Sequence, residues 1–331
     1  MRQFPNCLRN IIQTSGLKLN TISKTSGVSH TYLTKLVKDS INRPGKDKIA
    51  SVMLALNFSI SEINQTLAEY DYRPLNTHDI PGILSNNLRR KIEGNTLSLY
   101  DHLHMRLLLS PLERLEGTRV LAKGSPSVLF MPEELYLGDD RAYEGDPDAQ
   151  TFYHELNRAL FRERKANQRG TFEAGYLSET YCCRKCLEAY LETHLGDATA
   201  SHRRLIAAYF GNTLRAVKRH PQQQRLHIVE RCTYFDFQLQ GADQPHPKVF
   251  FLGRKPHTYD MGKPHLNLQG FSSDGPAMIA LFLKETESSR QAAIPRLLTN
   301  YPVPLVAYFE DLFGRFGVGD QLAAAIAGEG A

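Results

Sequence analysis

Three cysteines that lie close together in the sequence are the first candidates for chemistry: Cys182, Cys183 and Cys186, in the run YCCRKC. A Cys-x-x-Cys pair can bind zinc or form a redox pair, and His194 and His202 follow along the chain. The run falls within a predicted helix, however, where Cys182 and Cys186 share one face. We therefore interpret the group first as buried structural cysteines. Cys183 and Cys186 stay as weak metal candidates, and redox sensing is a further alternative.

A histidine before an apolar strand is the second candidate, in the run HPKVFFLG. His246 and Lys248 resemble the His-x-Lys strand of the phospholipase D superfamily, in which the histidine is the nucleophile. The resemblance is incomplete because Gly253 stands where that motif has an aspartate, and the sequence holds no second copy. Walker, Rossmann, nucleophile-elbow and zinc-protease motifs are missing as well. We expect no enzymatic activity and no cofactor.

Further polar residues are spread through the C-terminal half of the chain. Such groups can line a pocket for an anion or a metabolite, and polar loops between strands are the plainer interpretation. The residues concerned are His220, His227, His246, His257 and His265, with Tyr259, Asp260 and Lys263.

The net charge of +5 is concentrated at one end of the 331-residue chain. Residues 1–75 contain ten Lys and Arg against five Asp and Glu, and the rest of the chain holds thirty of each sign. Within residues 1–48 nine basic residues stand against two acidic ones. A basic segment attached to a neutral body is typical of polyanion binding. A solvated charged face is the alternative, so the charge does not decide the function by itself.

Apolar spacing predicts five short helices in this basic segment. Gly27 is predicted to form a tight turn after the second helix, because glycine tolerates the left-handed conformation. Ser29 is predicted to cap the third helix. The residues predicted to face inward are Leu8, Ile11, Ile12, Leu19, Ile22, Leu36, Val37, Ile49, Val52, Met53, Leu56, Ile63 and Leu67.

Residues 7–75 resemble the Xre-type, phage-repressor-like helix-turn-helix domains. The matching runs are ISKTSGVSHTYLTKLVKD, a loop with Arg43-Pro44, and KIASVMLALNFSISEIN. The resemblance covers about a fifth of the chain. It implies that the third helix enters the major groove of DNA and that its first residues contact base edges.

The resemblance places the DNA contacts on and around the third helix. Arg and Gln, the usual readers of guanine and adenine, are scarce there. Where the family often has a phosphate-binding Gln at the start of the second helix, this chain has Leu19, so Asn20 and Thr21 are the substitutes. The residues assigned to base or phosphate contact in the third helix are Ser29, His30, Thr31, Thr34 and Lys35. Those assigned to phosphates alone are Lys38, Arg43, Lys46 and Lys48.

Two domains joined by a linker are predicted along the chain. Residues 71–87 are rich in Pro, Asn and His, which predicts a boundary. We assign 1–75 to the helix-turn-helix domain, 76–98 to a linker, and 99–331 to dimerisation and effector sensing. The predicted fold class is α+β: a five-helix repressor-like domain and a larger mixed α/β domain whose topology the sequence leaves open.

Several elements of the larger domain can be predicted. A helix in the run LSLYDHLHMRLLLSPLERL serves either dimerisation or the core. Further helices are expected at 149–168, 178–195 and 198–219, and in GPAMIALFLKETESSRQAA and LVAYFEDLFGRF. Strands are expected at 118–122 and 127–131, and in RLHIVERCTYFDFQLQ, PKVFFLG and LNLQGFSSD.

Composition limits the class of protein. With 41% hydrophobic and 23% charged residues, the chain is not disordered throughout. It has no apolar run near the roughly 18 residues of a membrane span. Five cysteines, an odd number, argue against a secreted disulfide framework. We expect a cytoplasmic protein without a membrane partner.

The sequence favours a DNA-binding transcription regulator, with double-stranded DNA as its partner. One small helix-turn-helix contacts only a half-site, so we expect a homodimeric regulator, either an activator or a repressor, on an inverted-repeat operator. A small-molecule effector bound by the large domain is expected to modulate it. The alternatives are a DNA-targeted enzyme, and a structural or segregation protein that binds DNA without a ligand.

Overall fold

The structure is a computed structural model that describes residues 7–91, 96–100, 102–138, 147–230, 232–233, 235–253, 268–297 and 302–328. Within these ranges the chain forms fourteen α-helices and seven β-strands. The predicted α+β class is confirmed. None of the helices in the described ranges is long and apolar enough to cross a membrane.

Helices occupy both ends of the chain and surround one sheet. The helices are α1 Cys7–Thr14, α2 Leu19–Ser26, α3 His30–Val37, α4 Lys46–Ala55, α5 Ile60–Glu69, α6 Ile80–Asn87, α7 His102–Leu112, α8 Glu133–Gly138, α9 Pro147–Glu173, α10 Arg184–Leu195, α11 Ala200–Arg219, α12 Pro276–Gln291, α13 Pro302–Gly314 and α14 Gly319–Ala327. The strands are β1 Thr96–Tyr100, β2 Arg119–Ala122, β3 Ser178–Cys183, β4 Gln224–Val229, β5 Phe235–Gln240, β6 Lys248–Gly253 and β7 Leu268–Ser273. Short 3-10 helices lie at Thr77–Asp79, Val128–Phe130 and Pro295–Leu297.

The five helices predicted in the N-terminal segment are present as α1 to α5. Their inward residues form one core, in which Leu8, Ile22 and Leu33 are fully buried. Ser59 begins α5 with a capping box, because its side chain accepts from the Glu62 amide while the Glu62 carboxylate accepts from the Ser59 amide. Apolar spacing and capping residues, which depend on near neighbours in the sequence, therefore predict α1 to α5 correctly.

The prediction of a linker at residues 76–98 does not agree with the structure. Its first half forms a 3-10 helix and then α6, whose Ile80 and Ile83 are buried. Asn86 is also buried, and its side-chain amide donates to Ser51 Oγ at 3.0 Å. This hydrogen bond joins α6 to α4. Proline and glycine suggested a break in the sequence, but Pro81 lies in the first turn of α6, where a proline is tolerated. Residues 92–95 of the predicted linker lie outside the described ranges.

The N-terminal helices share their core with the following part of the chain. Leu103 and Leu107 of α7 and Phe152 of α9 belong to the same buried cluster as Leu8. His104 Nε2 donates to the Phe58 carbonyl at 3.1 Å across this contact. Of the two roles considered for α7, the core helix fits these side chains. The predicted domains thus meet through a packed interior.

The sheet combines a parallel and an antiparallel part. Its strand order is β1-β7-β6-β5-β2-β3-β4. Strands β2, β3 and β4 run parallel, whereas β5 is antiparallel to β2 and β6. Helix α12 packs on one face, and α11, α13 and α14 pack on the other. The two parts of the sheet therefore meet at β2.

Several predicted elements of the large domain are corrected. The strand expected at 127–131 is a 3-10 helix over Val128–Phe130. The helix expected at 178–195 begins as β3, in which all six residues are buried and no alternation marks a strand. The helix expected from residue 97 is preceded by β1. Strands were correctly predicted at β2, β4, β5, β6 and β7.

Candidate nucleic-acid interface

The turn between α2 and α3 has the geometry that the sequence predicts. Gly27 adopts a left-handed conformation with φ of 70°, and its amide donates to the Ser23 carbonyl at 2.9 Å. Val28 is buried beside it. Ser29 Oγ accepts from the Tyr32 amide at 3.3 Å, so this residue caps α3. Hydrogen bonds between residues close in the sequence therefore form this turn and begin α3.

Helix α3 presents part of its predicted contact set to solvent. Ser29, His30, Thr31, Lys35 and Lys38 are exposed, and Asn20 is exposed at the start of α2. Thr34 and Thr21 are half-buried. The Thr34 hydroxyl donates to the His30 carbonyl at 2.9 Å within the helix. The structure thus brings two cations and several small polar groups together on the surface of α3.

The other three cations predicted to contact phosphates have partners within the chain. Arg43 donates from Nε to the Tyr70 carbonyl at 3.0 Å, and its guanidinium carbon lies 4.0 Å from the centre of the Tyr72 ring. Lys46 Nζ lies 2.6 Å from Asp79 Oδ2. Lys48 Nζ lies 2.7 Å from Asn86 Oδ1. These residues hold α4 to the end of α5 and to α6, a role that charge counting alone did not reveal.

The cluster around Lys48 also sets the ionisation of a carboxylate. Burial raises the pKa of Asp47, but hydrogen bonds from Lys48 and Asn86 outweigh it and lower the pKa below its ordinary value. Lys48 Nζ lies 3.0 Å from Asp47 Oδ2. Asp47 therefore pairs with Lys48, and Asp79, which lies beyond the basic segment of residues 1–75, pairs with Lys46.

A cavity of about 220 Å³ lies in the large domain, beside the meeting point of the two parts of the sheet. Helices α7, α8 and α9 close it against β2, β5 and β6. The apolar lining comes from Met105, Leu109, Leu121, Val128, Met131, Phe237, Phe250 and Leu252. The polar lining comes from Arg106, Lys123, Tyr136, Arg164, Asp236 and Gln238.

Basic side chains outnumber carboxylates around this cavity. Arg164 pairs with Glu113 through two hydrogen bonds of 2.7 and 2.9 Å, and both side chains are buried. Burial, followed by the charge of Arg164, lowers the pKa of Lys123 to about 8. Burial also lowers the pKa of Arg119, which lies beside them, to about 10. The interior thus contains more positive charge than its carboxylates neutralise.

Two buried donors near the cavity lack a hydrogen-bond partner among the described residues. They are Nε2 of Gln238 and Nη1 of Arg119. Both residues are almost fully buried. A buried donor without an acceptor is costly, so the site suits a ligand that brings negative charge or acceptor oxygens. No pattern in the sequence indicated this cavity, because its residues come from segments far apart in the chain.

The cysteine run is arranged differently from the helix face that we predicted. Cys182 and Cys183 end β3 and point to opposite faces of the sheet, in separate apolar clusters. Cys186 lies in the first turn of α10. The Sγ atoms of Cys183 and Cys186 lie within 4.8 Å of each other and of Cys232. Cys232 was not predicted to join the group because it is 46 residues from Cys186.

Among the described residues, the other candidate groups do not join the cysteines. His194 Nδ1 lies 3.3 Å from His202 Nε2 in a surface cleft, apart from the cysteines. Lys248 begins β6 and lies 3.8 Å from Asp274. Part of the predicted polar group lies outside the described ranges: His257, Tyr259, Asp260, Lys263 and His265.

Comparison with known proteins gives little further information. No protein-family model matches the chain, and no curated protein matches it either. One solved structure to which it is similar is that of TrmBL2, an archaeal chromatin protein described as showing a novel mode of DNA binding. The identity is 9%, the likeness covers 87% of this chain and 92% of that chain, and the TM-score is 0.33. A likeness at this level supports no argument about the fold or the function.

Proposed function

We propose that the protein is a sequence-specific DNA-binding regulator whose helix α3 enters the major groove. The observation that carries this proposal is the capped α3, set by Gly27 and Ser29, with His30, Thr31 and Lys35 exposed along it. Eight residues of helix with a polar surface fit the groove, which admits one α-helix. The resemblance of residues 7–75 to Xre-type domains agrees with this assignment.

Exposure and pairing within the chain divide the predicted DNA-contact residues into two groups. Lys35 and Lys38 are the exposed cations of α3 and of its C-cap, so they suit guanine or phosphate contacts. Asn20 and Thr21 at the start of α2 suit a phosphate. Arg43, Lys46 and Lys48 are engaged within the chain, and we therefore assign them to stability and not to DNA.

Charge reversal at Lys35 tests the assignment. We expect K35E to abolish specific binding, because it removes a contact and places a carboxylate against phosphates. K284E is the matched control, since Lys284 is an exposed lysine on α12 and the change in net charge is equal. Binding is measured on sites selected from fragmented source DNA, at two salt concentrations. Specific binding that survives K35E while K284E behaves identically would overturn the role of α3.

A homodimer on an inverted repeat is part of the same proposal. A single half-site seldom provides useful specificity, whereas two copies reach successive major grooves about 34 Å apart. Light scattering of the free protein and of its complex with a selected site measures the stoichiometry. Selected sites without two-fold symmetry, bound by one chain each, would contradict this part.

The cavity favours an effector role for the large domain. Its 220 Å³ is below the roughly 300–1,000 Å³ of sites for drug-sized ligands, so a small metabolite is the expected size. Its apolar lining and its excess of positive charge suit a carboxylate with an apolar tail. A ligand of this kind would pair with Lys123 and accept from Gln238 Nε2.

Octanoate is a suitable probe for this site, because it combines a carboxylate with a short apolar chain. Calorimetry would compare octanoate with acetate, which lacks the tail, and with octanol, which lacks the charge. We expect only octanoate to bind, and K123M to weaken that binding at least about tenfold, since it removes the cation that would pair with the carboxylate. Equal binding by wild type and K123M would exclude the cavity as the site.

A further inference from the structure

Three thiols from two parts of the chain converge on the α12 face of the sheet. Cys183 ends β3 and is the N-cap residue of α10. Cys186 follows in the first turn of that helix, and Cys232 lies between β4 and β5. Their three Sγ atoms lie within 4.8 Å of one another. The Sγ atoms of Cys186 and Cys232 are 3.4 Å apart.

This spacing matches a thiolate metal site. In a tetrahedral zinc site each Zn–S bond is about 2.3 Å, so neighbouring sulfurs are about 3.8 Å apart. The distance of 3.4 Å between the sulfurs of Cys186 and Cys232 is slightly shorter than that value, and no pair is farther apart than 4.8 Å. The three sulfurs are therefore close enough to share one ion.

The local structure suits negative charge on two of the three sulfurs. Cys183 and Cys186 lie at the N-terminus of α10, where the unpaired amides and the helix dipole stabilise negative charge. Cys183 and Cys186 are buried, whereas Cys232 is only half-buried, which gives an ion a path to the site.

We propose that Cys183, Cys186 and Cys232 bind one thiophilic divalent cation of the zinc class. The three thiols lose their protons to solvent, and each thiolate donates an electron pair to the cation. No further His, Cys, Asp or Glu joins the group among the described residues, so a water molecule completes the tetrahedron. The cation would tie the junction of β3 and α10 to the segment between β4 and β5.

Four single variants test the ligand set, and Cys182 supplies the control. Cys182 is buried next to Cys183, but it packs in the cluster on the opposite face of the sheet. C183S, C186S and C232S each remove one ligand, while C182S removes a buried thiol of equal size outside the group. Metal content is measured by elemental mass spectrometry on the full chain, purified under reducing conditions without chelator and equilibrated with Zn²⁺.

We expect one zinc per chain in the wild type and in C182S, and at least about tenfold weaker binding in the three ligand variants. Cobalt substitution is expected to give the absorption of a tetrahedral thiolate site in the wild type and in C182S. Loss of zinc in C182S to the same extent as in C183S would overturn the proposal, because folding and not ligation would then explain the result.

A measurement on the wild type avoids any dependence on variant folding. Zn²⁺ is expected to protect the half-buried Cys232 from alkylation of the native protein, as mapped by peptide mass spectrometry, and to leave the labelling of Cys7 unchanged. Cys7 is half-buried in α1, far along the chain from the group. Unchanged labelling of Cys232, or a Cys186–Cys232 disulfide that persists under reduction, would overturn the proposal.

Discussion

Gly27 lies directly against the backbone of Asn86. A Cβ atom at Gly27 would come within 1.8 Å of the Asn86 carbonyl oxygen, and the Lys91 amide donates to the Lys24 carbonyl at 2.8 Å nearby. The turn that orients α3 is thus seated on the C-terminal end of α6. The position of α3 therefore depends on a helix outside the five helices α1 to α5.

Substitution of Gly27 tests this dependence. G27A introduces both a left-handed alanine and a clash with Asn86, and we expect it to lower the free energy of unfolding by about 2–4 kcal/mol. Gly16 is the matched control, since its φ of 68° is similar and a Cβ atom added there would meet no other atom within 4 Å. G16A should cost only about 1 kcal/mol. Urea unfolding measures both, and equal losses would show that the contact with Asn86 contributes nothing.

Arg43 is expected to act on stability and not on DNA affinity. R43A removes hydrogen bonds to the carbonyls of Tyr70 and Asp71 and the stacking on Tyr72. A loss of about 1–2 kcal/mol in the free energy of unfolding follows. K38A should show the opposite pattern, with unchanged unfolding and weaker binding to a selected site. A reduced salt dependence of binding in R43A would contradict the assignment.

The buried pair of Glu113 and Arg164 should be sensitive to the loss of one partner. E113Q leaves the Arg164 charge uncompensated in the interior, and we expect a loss of about 3–5 kcal/mol in the free energy of unfolding. Replacing both residues by methionine removes the buried charge and should recover most of that loss. Thermal and urea unfolding of the single and double variants measure the difference. A double variant no more stable than E113Q would show that the uncompensated charge is not the cause.

Lys123 is expected to make the free energy of unfolding depend on pH in the alkaline range. Its pKa of about 8 in the folded chain is below the ordinary value of 10.5. Between these two values the unfolded chain binds the extra proton, so the free energy of unfolding should rise with pH from about 8 to 10.5. K123M is expected to flatten this slope and to raise stability at pH 7. Octanoate binding should weaken over the same pH range if the charged lysine is its partner.

Because of His194, we expect the free energy of unfolding to fall on mild acidification. Burial, followed by the proximity of His202, lowers the pKa of His194 from 6.5 to about 4. Between these values the unfolded chain binds the proton and the folded chain does not, so stability should fall as pH falls from about 6.5 toward 4. Glu192, Asp197 and His202 line the same cleft. H194Q should reduce the slope in urea unfolding, and an unchanged slope would exclude His194 as its source.

Local signals in the sequence were sufficient for the elements that local chemistry determines. Gly27, the Ser29 cap and the inward Leu8 and Ile22 were predicted because turns, caps and helix faces depend on near neighbours. Strand β3 was missed because a strand buried on both faces shows no alternation.

Long-range partners could not be predicted in the same way. Charge counting could not show that Lys46 pairs with Asp79, because those residues are 33 positions apart. Cys232 and the residues that line the cavity could not be predicted either, because they too lie far along the chain from their neighbours in the fold. The candidate interface was therefore predictable in position, but its division into exposed and internally paired cations required the packed structure.

The shared core has a consequence for recombination between proteins. A fragment ending at residue 75 would lose α6, α7 and α9, and so would expose apolar side chains that these helices now cover. Such a fragment would be prone to aggregation. A transplant of helices α1 to α5 into another chain must therefore include α6, α7 and the N-terminal half of α9. Helices α1 to α5 can therefore be exchanged only together with the helices that cover their core.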